Sequence, residues 1–115
     1  MSPAPGCDSL LPAAAFRGRG GAMARERLSE AEIAKRLAEV SEWKRAGDAI
    51  RRAWTFDAYP DAVAFIVRVA FLAEAANHHP DLTNSWTSVT LSLTTHDAGG
   101  LTDRDFKLAK RIDAL

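Results

Sequence analysis

Two adjacent histidines, His78 and His79, stand directly before Pro80, where a long apolar segment of the chain has to end. The third histidine, His96, follows a strand-like run, and these are all the histidines of the 115-residue sequence. Imidazole gives and takes protons near neutral pH, so histidine suits general acid–base chemistry. Because the histidines fall at the ends of two predicted elements, we expect them to share one site.

A carboxylate and an aromatic side chain lie near the histidines in the sequence. Glu74 precedes His78 by four positions, so both are predicted to lie on one face of a helix. His79 precedes a proline and is therefore predicted to be extended, with its ring pointing away from that of His78. Trp86 shares strand parity with His96, but an unbent strand would separate them by roughly 33 Å. Trp86 therefore belongs to the site only if the segment bends.

Structural roles remain open for each of these residues. His78 and His79 would also serve as caps at a helix C-terminus. Glu74 would fit a solvent-facing position, His96 a turn, and Asp105 the third position of a capping box. Imidazole and carboxylate suit zinc, but adjacent histidines converge poorly on one ion, so we expect no metal.

The first predicted elements are a helix and a hairpin. Ser29 is placed to cap the helix, whose buried stripe is predicted to be Ile33, Leu37 and Val40. Alternating residues on either side of Gly47 and Asp48 predict a hairpin over residues 43–56. Arg52 interrupts its apolar face, so we expect either an edge strand or an arginine that reaches the rim.

The second predicted helix starts near Pro60 and carries two apolar stripes. The first stripe comprises Val63, Ile66, Val67, Ala70 and Phe71, and the second comprises Phe65, Val69 and Leu72. We expect the first stripe to face the core and to continue towards Glu74 and His78. A small domain offers one sheet face, so the second stripe requires another helix or another subunit. Self-association is therefore expected.

The last predicted elements are a strand or a pair of strands after a polar turn, with the clearest run over residues 86–95, and a C-terminal helix. Thr102 is placed as the N-cap of this helix, with Asp105 at the third position of a capping box. This order of elements predicts an α+β two-layer sandwich, with an antiparallel sheet of about four strands and three helices packed on one face.

Composition narrows the class of protein. Fifteen basic and fifteen acidic residues leave no net charge to attract nucleic acid or an anionic membrane, and no apolar stretch reaches membrane-spanning length. Cys7 is the only cysteine, which favours a reducing compartment, the cytoplasm. Residues 1–22 are rich in Ala, Gly, Pro and Arg and are predicted to be a disordered extension, a weak organelle leader or the product of a mis-assigned start. Residues 23–115 are predicted to form the single domain.

Taken in order, these residues closely resemble the signature of pterin-4a-carbinolamine dehydratases. The pattern is Glu74-x₃-His78-His79-Pro80, then Trp86, then Thr94-Thr95-His96, then Gly99-Gly100-Leu101-Thr102-x-Arg104-Asp105. The match runs through the second half of the chain, and the elements from Leu28 onward are compatible with it.

The resemblance implies a dimeric or tetrameric enzyme that removes water from 4a-hydroxytetrahydrobiopterin. The product is a quinonoid dihydropterin, so the reaction recycles the cofactor of aromatic amino acid hydroxylases without a metal or bound cofactor. The resemblance implies acid–base roles for His78 and His96, substrate binding by His79, supporting positions for Glu74 and Asp105, and an aromatic position at Trp86. Related domains also act as partners of a transcription factor or as assembly factors, which leaves a non-catalytic binding role as the alternative.

Overall fold

A computed structural model describes residues 26–115 of the chain, and the prediction for residues 1–22 lies outside this range. The described elements follow the order α1 (Glu30–Glu39), β1 (Lys44–Ala46), β2 (Ala49–Thr55), α2 (Tyr59–Ala76), β3 (Asp81–Ser85), β4 (Ser88–Leu93) and α3 (Asp103–Asp113), with a short 3₁₀ helix at His96–Ala98. Ser29 caps α1 and Thr102 caps α3 through a capping box with Asp105, as predicted. None of the helices in this range is long and apolar enough to span a membrane.

The strands form one antiparallel, four-stranded sheet in the order β1-β2-β4-β3. The two central strands pair Ile50 with Leu93 and Trp54 with Val89. All three helices share a hydrophobic core with the inward-facing residues of β2 and β4. The predicted α+β two-layer fold is therefore confirmed.

The orientation of α2 is opposite to the predicted one. Its buried residues are Ala62, Phe65, Val69 and Ala73. In contrast, Val63, Val67 and Phe71 are 39%, 49% and 74% exposed. Two alanines lie on the buried face, and such small side chains allow a helix to approach its neighbours closely. The sequence pattern could not distinguish the stripes because both are apolar.

Two strand predictions also need correction. Of the two alternatives for Arg52, the edge strand is excluded because β2 lies inside the sheet; the guanidinium reaches Asp113 at 2.7 Å and lies 4.7 Å from the Trp54 ring centroid. The predicted polar turn after Pro80 is strand β3, and the predicted strand over residues 86–95 is only Ser88–Leu93. β3 is an edge strand with exposed polar side chains, which gave no apolar alternation to detect.

Candidate active site

A left-handed residue ends α2 and sets the direction of the first histidine. Asn77 has φ 50° and ψ 44°, and the backbone N–H of His78 donates to the carbonyl of Ala73 at 3.0 Å. This is the usual way in which an αL residue closes a helix and reverses the chain. His78 consequently lies beyond the helix and turns inward, with 8% of its surface exposed. The prediction that Glu74 and His78 share a helical face is therefore wrong.

Asp105 holds His78 from the neighbouring helix α3. Its Oδ1 lies 2.5 Å from Nε2 of His78, while its Oδ2 accepts hydrogen bonds from the Thr95 hydroxyl at 2.8 Å and the Thr102 backbone N–H at 3.0 Å. Asp105 is completely buried, so these partners replace the water that an isolated carboxylate would need. One carboxylate thus completes the capping box and fixes the His78 ring.

The carboxylate of Glu74 contacts the other histidine of the pair. Its Oε1 lies 3.0 Å from Nε2 of His79, and both side chains are exposed. Glu74 therefore pairs with His79, because α2 ends before it can bring His78 onto the same face. The two adjacent imidazoles have separate acidic partners, one buried and one at the surface.

His96 reaches the site from the end of β4. The strand stops at Leu93, and a bridge between Thr95 and Gly100 closes the short loop in which His96 begins the 3₁₀ helix. Gly99 ends that helix with φ 73°, a conformation that glycine adopts without steric cost. Strand parity therefore does not set the direction of His96; the closed loop does.

The three histidines line one open cleft of about 250 Å³, which also includes Thr94, Asp97 and Arg104. The three histidines therefore come together in the structure, as predicted. The volume is below the range of about 300–1,000 Å³ that is common for drug-sized ligands, so the cleft suits a compact ring. Among residues 26–115, His, Cys, Asp and Glu side chains do not form a group of three or more that could hold a metal ion.

Trp86 lies away from this cleft. It occupies the tight turn between β3 and β4, at the opposite end of β4 from His96, where it is 78% exposed. Its φ of 54° is unusual for a bulky residue, and its ring contacts Tyr59 with centroids 6.1 Å apart. The chain reverses direction at this turn, which leaves Trp86 at the far end of β4. Trp86 therefore does not approach the histidines of the same chain.

Arg104 has a structural role that the sequence analysis did not assign. Its Nη2 donates to the carbonyl of Asn77 at 2.6 Å and lies 3.4 Å from that of Ala76. The last carbonyls of a helix lack helical partners, and a cation there also offsets the negative end of the helix dipole. Arg104 therefore ties the start of α3 to the segment that carries His78 and His79. Its position before Asp105 gave no local signal of this long-range contact.

The fold and the cleft define a small α+β protein with a cleft lined by three histidines, two of which are paired with carboxylates. Residues 26–115 match the model of the pterin 4 alpha carbinolamine dehydratase family. A Roseiflexus sp. (strain RS-1) protein with the provisional name pterin-4-alpha-carbinolamine dehydratase is 57% identical over 89 residues, covering 77% of this chain and 96% of the relative. A Nocardia farcinica protein with the same provisional name is 47% identical over 93 residues, covering 81% and 98%.

Two solved structures are also similar. A transcriptional coactivator/pterin dehydratase from Brucella melitensis has a TM-score of 0.75 and 32% identity, covering 77% of this chain and 97% of the other. A pterin dehydratase-like RuBisCO assembly factor of the alpha-carboxysome has a TM-score of 0.55 and 25% identity, covering 64% and 87%. The chain belongs to the pterin 4 alpha carbinolamine dehydratase family, and it is an enzyme of the hydro-lyase class.

Proposed function

We propose that the histidine cleft dehydrates 4a-hydroxytetrahydrobiopterin to the quinonoid dihydropterin, which serves aromatic amino acid hydroxylases. In this reaction the C4a–O bond breaks, the oxygen takes a proton and leaves as water, and the adjacent ring nitrogen loses its proton. The reaction thus needs one acid and one base close to a compact ring. The observation that carries the proposal is that three histidines line one small cleft, with His78 fixed by buried Asp105.

The proposed acid–base pair is His78 and His96. An ionised carboxylate only accepts hydrogen bonds, so Asp105 assigns the Nε2 proton to His78 and leaves Nδ1 to exchange protons with the substrate. His96 is exposed and also lines the cleft, and it would act on the second proton. His79, oriented by Glu74, would hold the pterin ring. In this proposal, Trp86 does not contact a substrate bound in the cleft of its own chain.

The test is dehydration of chemically generated 4a-hydroxytetrahydropterin by the wild type and by histidine variants. We expect the wild type to exceed the spontaneous rate, and His78→Ala and His96→Ala each to lose about 10²–10⁴-fold in kcat. His79→Ala should raise KM more than it lowers kcat. Circular dichroism would confirm that each variant is folded. A wild-type rate equal to the spontaneous rate would reject the proposed reaction.

We also propose that the protein is a homodimer or homotetramer of the cytoplasm. Support for self-association comes from Val63, Val67 and Phe71, which leave an apolar stripe exposed on α2. Support for the cytoplasm comes from the single cysteine, Cys7, which excludes an internal disulfide. The same stripe is the surface that a binding role would use, and two similar proteins are described as a transcriptional coactivator and a RuBisCO assembly factor. A chain without dehydratase activity that still captures a partner through α2 would favour that alternative.

A further inference from the structure

A second cavity adjoins the histidine cleft on the side of α3. It has a volume of about 390 Å³ and is lined by His78, Arg104, Lys107, Leu108, Lys110 and Arg111, together with Ala76. His78 and Arg104 line both cavities, so they form a common boundary. We call this second cavity the basic groove. The proposed reaction uses the histidine cleft and leaves the basic groove without a function.

The charged side chains that line the basic groove all have the same sign. Its lining contains four cationic side chains from α3, Arg104, Lys107, Lys110 and Arg111, and no carboxylate. Lys107 pairs with Asp103 at 3.2 Å and Lys110 with Glu39 at 2.5 Å, and both of these acids lie outside the lining. Within residues 26–115, neither Arg104 nor Arg111 has a carboxylate within 4.0 Å. The groove therefore presents positive charge that the described part of the chain does not neutralise.

The lining of the groove also has an apolar part. Leu108 is buried and Ala76 is partly buried, and both contribute apolar surface, to which the long stems of the cations can add. A ligand that fits would have an apolar or ring-like body and an anionic end. Arginine is well suited to bind such an end, because its planar guanidinium matches the geometry of phosphate and carboxylate groups.

We propose that the basic groove binds an anionic substituent of the pterin substrate, a phosphate ester or a carboxylate on its C6 side chain. The common boundary at His78 allows one ligand to place its ring in the histidine cleft and its charged end in the groove. The protein would then prefer anionic pterins to neutral ones. This inference rests on the proposed function, because it assumes that the histidine cleft holds the ring.

Binding of stable analogues separates this inference from catalysis. The probes are 6-hydroxymethyl-7,8-dihydropterin, its phosphate ester and 6-carboxy-7,8-dihydropterin, titrated calorimetrically into the full chain. We expect the phosphate ester to bind about tenfold more tightly than the neutral analogue, with the carboxylate between them. Inorganic phosphate should compete with the ester more strongly than with the neutral compound. Added salt should reduce the preference, because exposed charges are screened.

Variants locate the effect. Arg111→Gln and Lys107→Gln should each reduce the ester-to-neutral preference by about threefold, within the range of exposed charge pairs. Arg68→Gln, on the exposed surface of α2, is the matched control and should leave the preference unchanged. Equal affinity of wild type for the ester and the neutral analogue would overturn the inference. So would an Arg111→Gln variant that weakens both ligands equally.

A parallel rate measurement distinguishes the two proposals. If neutral 4a-hydroxytetrahydropterin is dehydrated but anionic analogues have no advantage in binding, the groove inference fails and the proposed function stands. If the ester binds preferentially but neither neutral nor phosphorylated 4a-hydroxytetrahydropterin is dehydrated, the proposed function fails and the groove remains an anion site.

Discussion

Asp105 connects the ring of His78 to the start of α3. Its two oxygens serve His78, Thr95 and the backbone of Thr102, so a single carboxylate positions an imidazole and caps a helix. Asp105→Asn keeps the shape of the side chain but replaces one of the two oxygens that accept hydrogen bonds with an NH₂ group, which donates them. If the amide oxygen keeps the two threonine contacts, the amide nitrogen faces Nε2 of His78, which must become the acceptor. His78 then carries its proton on Nδ1, so the nitrogen that is proposed to exchange protons with the substrate can no longer accept one.

We predict that Asp105→Asn lowers kcat by about 10²–10⁴-fold and the free energy of unfolding by about 1–3 kcal/mol. Dehydration kinetics and urea unfolding measure the two effects, and ¹⁵N NMR of the His78 ring reports its tautomer. Asp57→Asn, at an exposed position with no side-chain hydrogen bond or ion pair within residues 26–115, is the control. An Asp105→Asn variant with wild-type kcat would contradict the proposed role of the carboxylate.

At the residue level, the sequence predicted which side chains meet but not how they pair. The convergence of His78, His79 and His96 followed from their positions at element ends. The partner of Glu74 did not, because helical spacing holds only while the helix lasts, and α2 ends at Ala76. Asn77 was the available signal, since asparagine is common in the left-handed position that closes a helix.

At the scale of elements, α1 and α3 are joined by an ion pair. Asp103, at the start of α3, accepts from Arg36 of α1 at 2.5 Å and pairs with Lys107 at 3.2 Å. Burial alone would raise the pKa of Asp103, but the hydrogen bonds from Arg36 and Lys107 outweigh burial and lower the pKa below its ordinary value. A lowered pKa in the folded state means that the ionised form of Asp103 stabilises the fold.

This stabilisation is present above the unfolded-state pKa of about 3.9 and is lost as the pH falls through the lower folded-state value. We therefore predict that Asp103→Asn reduces the free energy of unfolding at neutral pH by about 1 kcal/mol. The difference from wild type should shrink as the pH approaches about 3. Urea unfolding at several pH values tests this, with Asp57→Asn as the reference. A difference that stays constant with pH would exclude the charge of Asp103 as its cause.

At the level of elements, local signals were reliable and long-range ones were not. The caps at Ser29 and Thr102 and the turn at Gly47 were predictable because each depends on neighbouring residues. Strand β3 was not, because an exposed edge strand is specified by its pairing with β4 rather than by its own pattern. Arg104 likewise acts across 27 positions, from α3 to Asn77.

At the scale of the whole molecule, the order of elements was enough to predict the α+β sandwich, but not which face of α2 would be buried. The stripe left outside, Val63, Val67 and Phe71, is a continuous apolar surface on one side of a helix. Monomeric proteins rarely expose large continuous apolar patches, and such patches usually mark interaction sites. Either orientation of α2 leaves one of its two apolar stripes without a partner, so self-association is expected in both cases.

We predict that the wild type elutes from gel filtration as a species at least twice its 12.5 kDa mass, as measured by light scattering. A charge in the stripe, Val67→Glu or Phe71→Glu, should shift the protein towards the monomer, because a buried unpaired carboxylate costs several kcal/mol. Lys35→Glu, an exposed change on α1, should leave the mass unchanged. A wild-type monomer at high concentration would leave this stripe free for a different protein, which is the arrangement that a binding role requires.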